Sequence, residues 1–333
     1  MKQLKILLTT DQNEDSFGEN VASTLSDMGH LVVPICVTSS KFGRFTSHIN
    51  SLLASVSSYE DITSLEYSLI KTARVVNPEV ILFLTHTAGH STLQQLHKIK
   101  SNPKLIAWWG DPPANLKKLE LLDNGWDSIF IKDKLTAAKL RGAGLNSFHL
   151  AEAFNPKWHK PIGVAGRENS FCIAGNSYGY RQFFCSSLAA RGVPVKVFGP
   201  KPPTWSIPSY KKLHVNTYIA KEKKSQIFYE SIACLNHSAL SEADSMNCRA
   251  FEICGVGGLQ VIEHKPCLED YFQPGKEVLE FNSIDEIVEI YKKLTKFPNE
   301  YDSVRALGRK RALDNYTYQH RLNELLRIAF KDS

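Results

Sequence analysis

Within Leu235–Glu263, LNHSALSEADSMNCRAFEICGVGGLQVIE, several side chains are spaced to grip an anion. The run reads as the end of a strand, a long loop, the start of a helix near Met246 and Asn247, a glycine turn and another strand. A helix start offers free N–H groups and the positive end of a dipole, which suits a diphosphate. Arg249 in the first turn adds a permanent cation with a planar fork. Glu252, one turn in, is placed to meet a polar ligand group such as a ribose. Gly255, Gly257 and Gly258 let the chain turn tightly and let backbone approach a ligand. Each residue also has a plain use: Asn247 as an N-cap, Glu252 on a solvated face, Gly255 as a C-cap. Their combination favours a binding site.

The elements that position this segment follow an alternating rhythm. Leu4–Thr9, His30–Cys36, Val80–Leu84, Lys104–Trp108, Ser128–Ile131 and Phe148–Leu150 read as short buried strands. Between them helices are expected after the loop Asp11–Gly18 and over Tyr59–Val76, Leu93–Ile99 and Lys134–Gly142. The stretch Phe154–Gly166, with two prolines and two glycines, reads as an interdomain linker. The rhythm then restarts, with strands at Ser170–Ala174, Val195–Phe198, Ile232–Leu235, Leu259–Ile262 and Val278–Phe281. Helices are expected over Arg181–Arg191, around Ile227–Glu230, and over Asn247–Cys254, Asp285–Leu294, Val304–Asn315 and Thr317–Ala329. Two Rossmann-like, doubly wound α/β domains result, residues 1–157 and 163–315. A length of 333 residues also suits two domains. No G-x-G-x-x-G occurs, which argues against an ordinary dinucleotide dehydrogenase.

Composition narrows the class. Hydrophobic residues make up 43% and charged residues 22%, as in a folded protein rather than a disordered one. A net charge of +6 suits an anionic ligand or membrane face, while no dense basic stripe points to nucleic acid. The basic cluster Lys221, Lys223 and Lys224 reads as a solvated helix start. Seven scattered cysteines, without a C-x-x-C pair, fit reduced thiols rather than a disulfide framework or a zinc site. Lys2–Thr10 is too short for a signal peptide and no run approaches a membrane span, so a cytoplasmic location is expected.

The run N-x-R-x-F-E-x-x-x-x-G-G-x-Q-V from Asn247 to Val261 resembles the signature of the spore-maturation-protein-like (CgeB-like) glycosyltransferases. These belong to the broader group-1 glycosyltransferases of the GT-B fold. Asp270-Tyr-Phe, Pro274-Gly-Lys-Glu-Val278, Leu307-Gly-Arg309 and Tyr316-Thr-Tyr-x-x-Arg321 are similar to segments downstream of the signature in that family. Ile173-Ala-Gly-Asn176 with Arg181 is similar to its first C-domain strand and loop. In the N-terminal half only the architecture and Trp109-Gly-Asp111-Pro112 are similar.

The resemblance implies two domains facing a central cleft, with 316–333 packing back on the first, and transfer of a sugar from a nucleoside-diphosphate sugar to a glycan, lipid-linked or protein acceptor. It implies donor contacts by Gly175, Asn176, Arg181, Asn236, Met246, Asn247, Arg249 and Glu252. Gly199-Pro200 and Tyr218–Ala220 are similar to the segment that flanks the base. Many retaining members carry two glutamates eight positions apart; the second matches Glu252, but the first falls on Asp244. Glu242 is two residues away from it. No metal or other cofactor is expected, the departing diphosphate being stabilised by cations and helix dipoles. On the acceptor side stand Asp11, Gly18 and Trp109, with His86 the better of His86 and His90 for contacting sugar or acceptor. Asp111 would be the general base of an inverting enzyme, or a simple turn residue. Trp108, Trp109 and Trp126 could stack on sugar or fill the core. Arg321 and Arg327 could touch an anionic membrane or face solvent. A nucleotide-sugar epimerase and a non-catalytic nucleotide-sugar binder are the competing readings.

Overall fold

Short apolar runs bounded by turn residues become strands, the central ones buried on both faces as an all-parallel sheet requires and the edge strand Leu31–Cys36 only partly buried. In the computed structural model, which describes residues 2–11, 13–36, 62–84, 86–112, 121–166, 168–242 and 244–331, these strands form two sheets. The first contains β1 (Lys5–Thr10), β2 (Leu31–Cys36), β3 (Val80–Phe83), β4 (Lys104–Trp109), β5 (Ser128–Ile131) and β6 (Ser147–His149). Its order is β2-β1-β3-β4-β5-β6, and every pairing is parallel. The second contains β7 (Glu168–Ala174), β8 (Val195–Phe198), β9 (Ser231–Asn236), β10 (Gln260–Glu263) and β11 (Leu279–Phe281). Its order is β11-β10-β9-β7-β8, again all parallel. Strand order reverses between β1 and β3 in one sheet and between β7 and β9 in the other. Such reversals leave a crevice at the carboxyl ends of the strands, where ligands settle in open α/β sheets.

The chain divides into two compact units. One holds residues through Ala151 together with those from Arg321 on; the other is Glu152–His320. Leu7, Ile81, Phe83, Leu93, Leu105 and Ile129 pack in the core of the first, and Phe171, Phe184, Leu188, Val197, Val261 and Ile287 in that of the second.

Helix boundaries follow their caps. Thr63 and Glu66 form a reciprocal capping box that starts a helix at Ser64–Val76. The expected start at Tyr59 lies outside the described residues. Asp133 caps Lys134–Gly142 and Ser283 caps Ile284–Lys296.

Three expectations need correction, and one open choice closes. Phe154–Gly166 is not a bare linker. Phe154, Asn155 and His159 are buried, and Phe154 bridges to Thr317. The Phe154 ring fills the space a Cβ would take at Gly255, so its first residues are core. Of the two uses open to Trp108 and Trp126, both fill the core: Trp108 stands edge-on to Phe17, its Nε1 donating to Leu150 O, and Trp126 stands edge-on to Phe83. Lys224 is not solvated but buried. The helix Cys248–Val256 runs through Gly255 and is capped by Gly257, whose φ is 78°. Two helices, Pro208–Leu213 and Leu268–Tyr271, carry too few residues to show a period in sequence.

Candidate functional site

At the β7–β9 reversal two arginines converge on one backbone oxygen. Arg249 Nη1 donates to Ala174 O at 2.8 Å, and Arg181 Nη1 reaches the same oxygen at 3.5 Å and Asn176 O at 2.9 Å. Arg181 stands in the first turn of the helix Gly179–Ala190, which follows β7, and Arg249 in the first turn of Cys248–Val256, which follows β9. Gly175 lies between them with φ 127°, and a Cβ there would overlap both guanidinium groups. Only glycine fits this backbone and this contact.

Arg181 is 1% exposed. Burial first, then the charge of Arg249, lowers its pKa to about 10, so it stays protonated at neutral pH. Among the described residues neither guanidinium lies within ion-pair distance of a carboxylate. A buried cation facing another cation is costly unless an anion completes it, and such arrangements mark functional sites.

Arg181 is held by residues the sequence did not single out. Its guanidinium lies over the Tyr178 ring at 4.5 Å, and Nη2 donates to Tyr178 Oη at 2.7 Å. Its Nε donates to His237 Nε2 at 3.3 Å, which leaves the His237 proton on Nδ1, toward Ser238 O. Phe184, Tyr180 and Tyr178 surround the His237 ring. Burial, with Arg181 and Arg249 adding to it, holds His237 well below the ordinary histidine range. His30, His149 and His214 are lowered too, each mainly by burial. A base that stays neutral in the folded state and takes a proton in the unfolded one favours folding above its unfolded pKa. That contribution is lost as pH falls through the window below it. Thermal stability is therefore expected to drop as pH decreases below about 6.5. His237→Gln should flatten part of the slope in a melting series across pH; an unchanged slope would count against a neutral buried His237.

The helix start near Met246 differs from the expectation of free N–H groups. Cys248 N donates to Glu152 Oε2 at 3.1 Å, and Ala250 N donates to Asn247 Oδ1 at 3.3 Å. Asn247 is thus the N-cap, and a carboxylate already sits at the dipole's positive end. Met246 is buried. Asn247 Nδ2 donates to Asn236 Oδ1, whose Nδ2 donates in turn to Gln260 Oε1, tying β9, the helix start and β10 into one amide chain. The helix Gly179–Ala190, by contrast, has no side-chain cap. The cationic site is therefore built mainly by guanidinium groups, beside the uncapped helix after β7.

Glu252 is 4% exposed, so it does not lie on a solvated face. Lys224 Nζ donates to its Oε1 at 2.8 Å, and His159 Nε2 stands 3.9 Å from the same oxygen. Asp244 is half-buried and accepts from Cys267 N at 2.8 Å. Lys265 Nζ donates to Glu242 O and Ser245 O, which fixes the loop that carries Asp244.

In the first unit, Asp11 and Gly18 line one concavity of about 320 Å³ beside Thr10 and Pro34. Asp11 follows β1 and His86 follows β3, so both fall at that sheet's reversal. Trp109 ends β4 and the exposed Asp111 lies two residues on. Asp11 Oδ1 and Trp109 Nε1 are buried without a partner among the described residues. His90 Nδ1 pairs with Asp123 at 2.9 Å.

Two all-parallel sheets flanked by helices, each reversing beside its first strand, define the GT-B fold. Residues 181–327 match the model of a family described as glycosyl transferase-like. Among solved structures, the sucrose-phosphate synthase of Thermosynechococcus elongatus is similar with a TM-score of 0.69 and 11% identity, covering 100% of both chains. Anabaena HepE in complex with UDP-glucose gives 0.68 and 12%, over 97% of this chain and 99% of that one. A glycosyltransferase from Rickettsia africae gives 0.64 and 10%, over 99% of each. No curated protein matches in sequence.

Proposed function

We propose that the protein is a glycosyltransferase that binds a nucleoside-diphosphate sugar at the β7–β9 reversal and passes the sugar to a glycan, lipid-linked or protein acceptor. The observation that carries this reading is the Arg181–Arg249 pair on Ala174 O, two cations without a carboxylate among the described residues. Two guanidinium groups can take up the negative charge of a departing diphosphate, so the proposal includes no metal. HepE, whose structure holds UDP-glucose, shares the fold and lends support to a uridine nucleotide. The narrower likeness to the spore-maturation-protein-like group rests on the Asn247–Val261 run and belongs to the proposal, as does a cytoplasmic location. Among the described residues no helix is long and apolar enough to cross a membrane.

The roles then come from position. Arg181 and Arg249 hold the diphosphate, beside Gly175 and Asn176. Glu252, braced by Lys224, faces the ribose, and Asp244 the sugar. Asp11, Gly18, His86 and Trp109 serve the acceptor. The spacing of Asp244 and Glu252 supports retention at the anomeric carbon, and Asp111 is the base that inversion would need. Free nucleoside diphosphate should appear on incubation with donor only when an acceptor is added. A sugar product from donor alone would point to an epimerase, and binding without turnover under any acceptor to a non-catalytic binder. The anomeric configuration of the product, read by proton NMR, tests retention.

A further inference from the structure

From Asn169 through Lys221 the chain contains no aspartate or glutamate, although 34 of its 333 residues are acidic. At an average of about one acid in ten, a stretch this long would ordinarily hold several. Arg191 and Lys196 in this stretch find acids elsewhere, Asp285 and Glu168. Lys201, Lys211 and Lys212 are exposed and have no carboxylate partner among the described residues.

Lys212 shares a concavity with Glu168 and Glu230. The segment that carries Lys201, Lys211 and Lys212, and the helix bonded to it, also expose large apolar side chains. Trp205 is 65% exposed, Phe183 62% and Ile207 38%. They are held there by a fixed framework. Gln182 is fully buried; its Nε2 donates to Ser177 O and its Oε1 accepts from Ile207 N at 2.9 Å. Ser206, between Trp205 and Ile207, is buried and its N–H donates to Pro203 O. Lys211 Nζ closes the loop on Thr204 O, and Ser209 Oγ donates to Ser186 Oγ. Phe183 adjoins Gln182 and lies one turn before Ser186, so it shares this side of its helix. Pro200, Pro202, Pro203 and Pro208 stiffen the segment further.

A braced segment that presents Trp205 and Ile207 to water, carries three exposed lysines outside ion-pair distance of a carboxylate among the described residues, and is bonded to the helix of Phe183 has a specific chemistry. Contiguous exposed apolar groups mark interaction surfaces. Lysine is depleted at protein–protein interfaces. Tryptophan with lysine is the pairing of the membrane interface, where the ring sits among headgroups and the ammonium meets anionic lipid. We propose that Phe183, Trp205 and Ile207, with Lys201, Lys211 and Lys212, dock the second unit onto an anionic phospholipid surface. This face is distinct from the last helix, where Arg321 keeps only 12% of its side chain exposed beside Glu324. The inference does not depend on sugar transfer, because docking is measured without donor or acceptor.

Cosedimentation of the full chain with lipid vesicles tests it. Vesicles of phosphatidylcholine containing one-quarter phosphatidylglycerol should bind the protein, and those of phosphatidylcholine alone far less. Added salt should weaken binding. Trp205→Ala is expected to lower the partition coefficient by about tenfold. Lys201→Gln, Lys211→Gln and Lys212→Gln should lower it by about fivefold each. The Trp205, Lys201 and Lys212 variants should keep the wild-type melting temperature, whereas Lys211→Gln also gives up the bond to Thr204 O and is read beside its own melting curve. Failure to bind the anionic vesicles, or variants that bind them as well as wild type, would overturn the proposal. So would a basic-face partner of another class: retention of a single-stranded oligonucleotide that competes with vesicles and ignores the Trp205 substitution.

Discussion

Arg249→Ala should weaken binding of a nucleoside diphosphate by about 10- to 150-fold, the range for losing hydrogen bonds made by a charged group. The thermal shift that UDP, GDP or TDP confers on the wild type would shrink accordingly, because stabilisation follows ligand affinity by mass action. Arg249 is the better target of the two arginines. It is only half-buried, whereas Arg181 is enclosed by Tyr178 and His237, so removing Arg181 would also disturb packing. Arg249→Lys should fall between wild type and alanine, since the ammonium keeps the charge but cannot hold Ala174 O and an oxyanion with one planar fork. A full shift in Arg249→Ala would remove this residue from the phosphate site and the main support from the proposed function.

The largest effect on stability is expected from Lys224→Ala. It would leave Glu252 buried at 4% exposure without its 2.8 Å ammonium partner. Breaking one side of a buried ion pair costs about 3–5 kcal/mol, or roughly 6–20 °C in melting temperature for a domain of this size. Glu252→Ala would strand Lys224 in the same way. A loss of nucleotide affinity in that variant must therefore be read beside its melting curve. Replacing both, as Lys224→Met with Glu252→Leu, should recover much of the loss, because two apolar side chains need no partner. A Lys224→Ala variant that melts with the wild type would mean that Glu252 is held by other groups.

The sheets were legible because parallel strands buried on both faces read as unbroken apolar runs. Ser128–Ile131 falls where its sequence places it, as does the edge strand Val195–Phe198 despite its exposed Lys196. Helix starts were legible where a cap is written locally, as at Asp133. What could not be read are contacts set by distant pairings. Lys224 looks like a solvated lysine until the helix Lys221–Glu230 is laid beside Cys248–Val256, which turns it toward Glu252. His237 is one unremarked residue past β9, and its bond to Arg181 exists only because β7 and β9 are neighbours. The helix start at Asn247 carries the right residue types for an anion. Yet Glu152, far off in sequence, already occupies it. Proline and glycine content marked Phe154–Gly166 as a connector but says nothing of burial, which here is decided by the missing side chain at Gly255.

That fit of an aromatic ring against a bare helix position dictates where the gene can be cut. An expression fragment of the second unit that began at residue 163 would discard Phe154 and Glu152, exposing a groove along the Arg249 helix and freeing its first amide. A fragment opening at Glu152 retains both, and with them the scaffold on which the paired guanidinium groups are aimed.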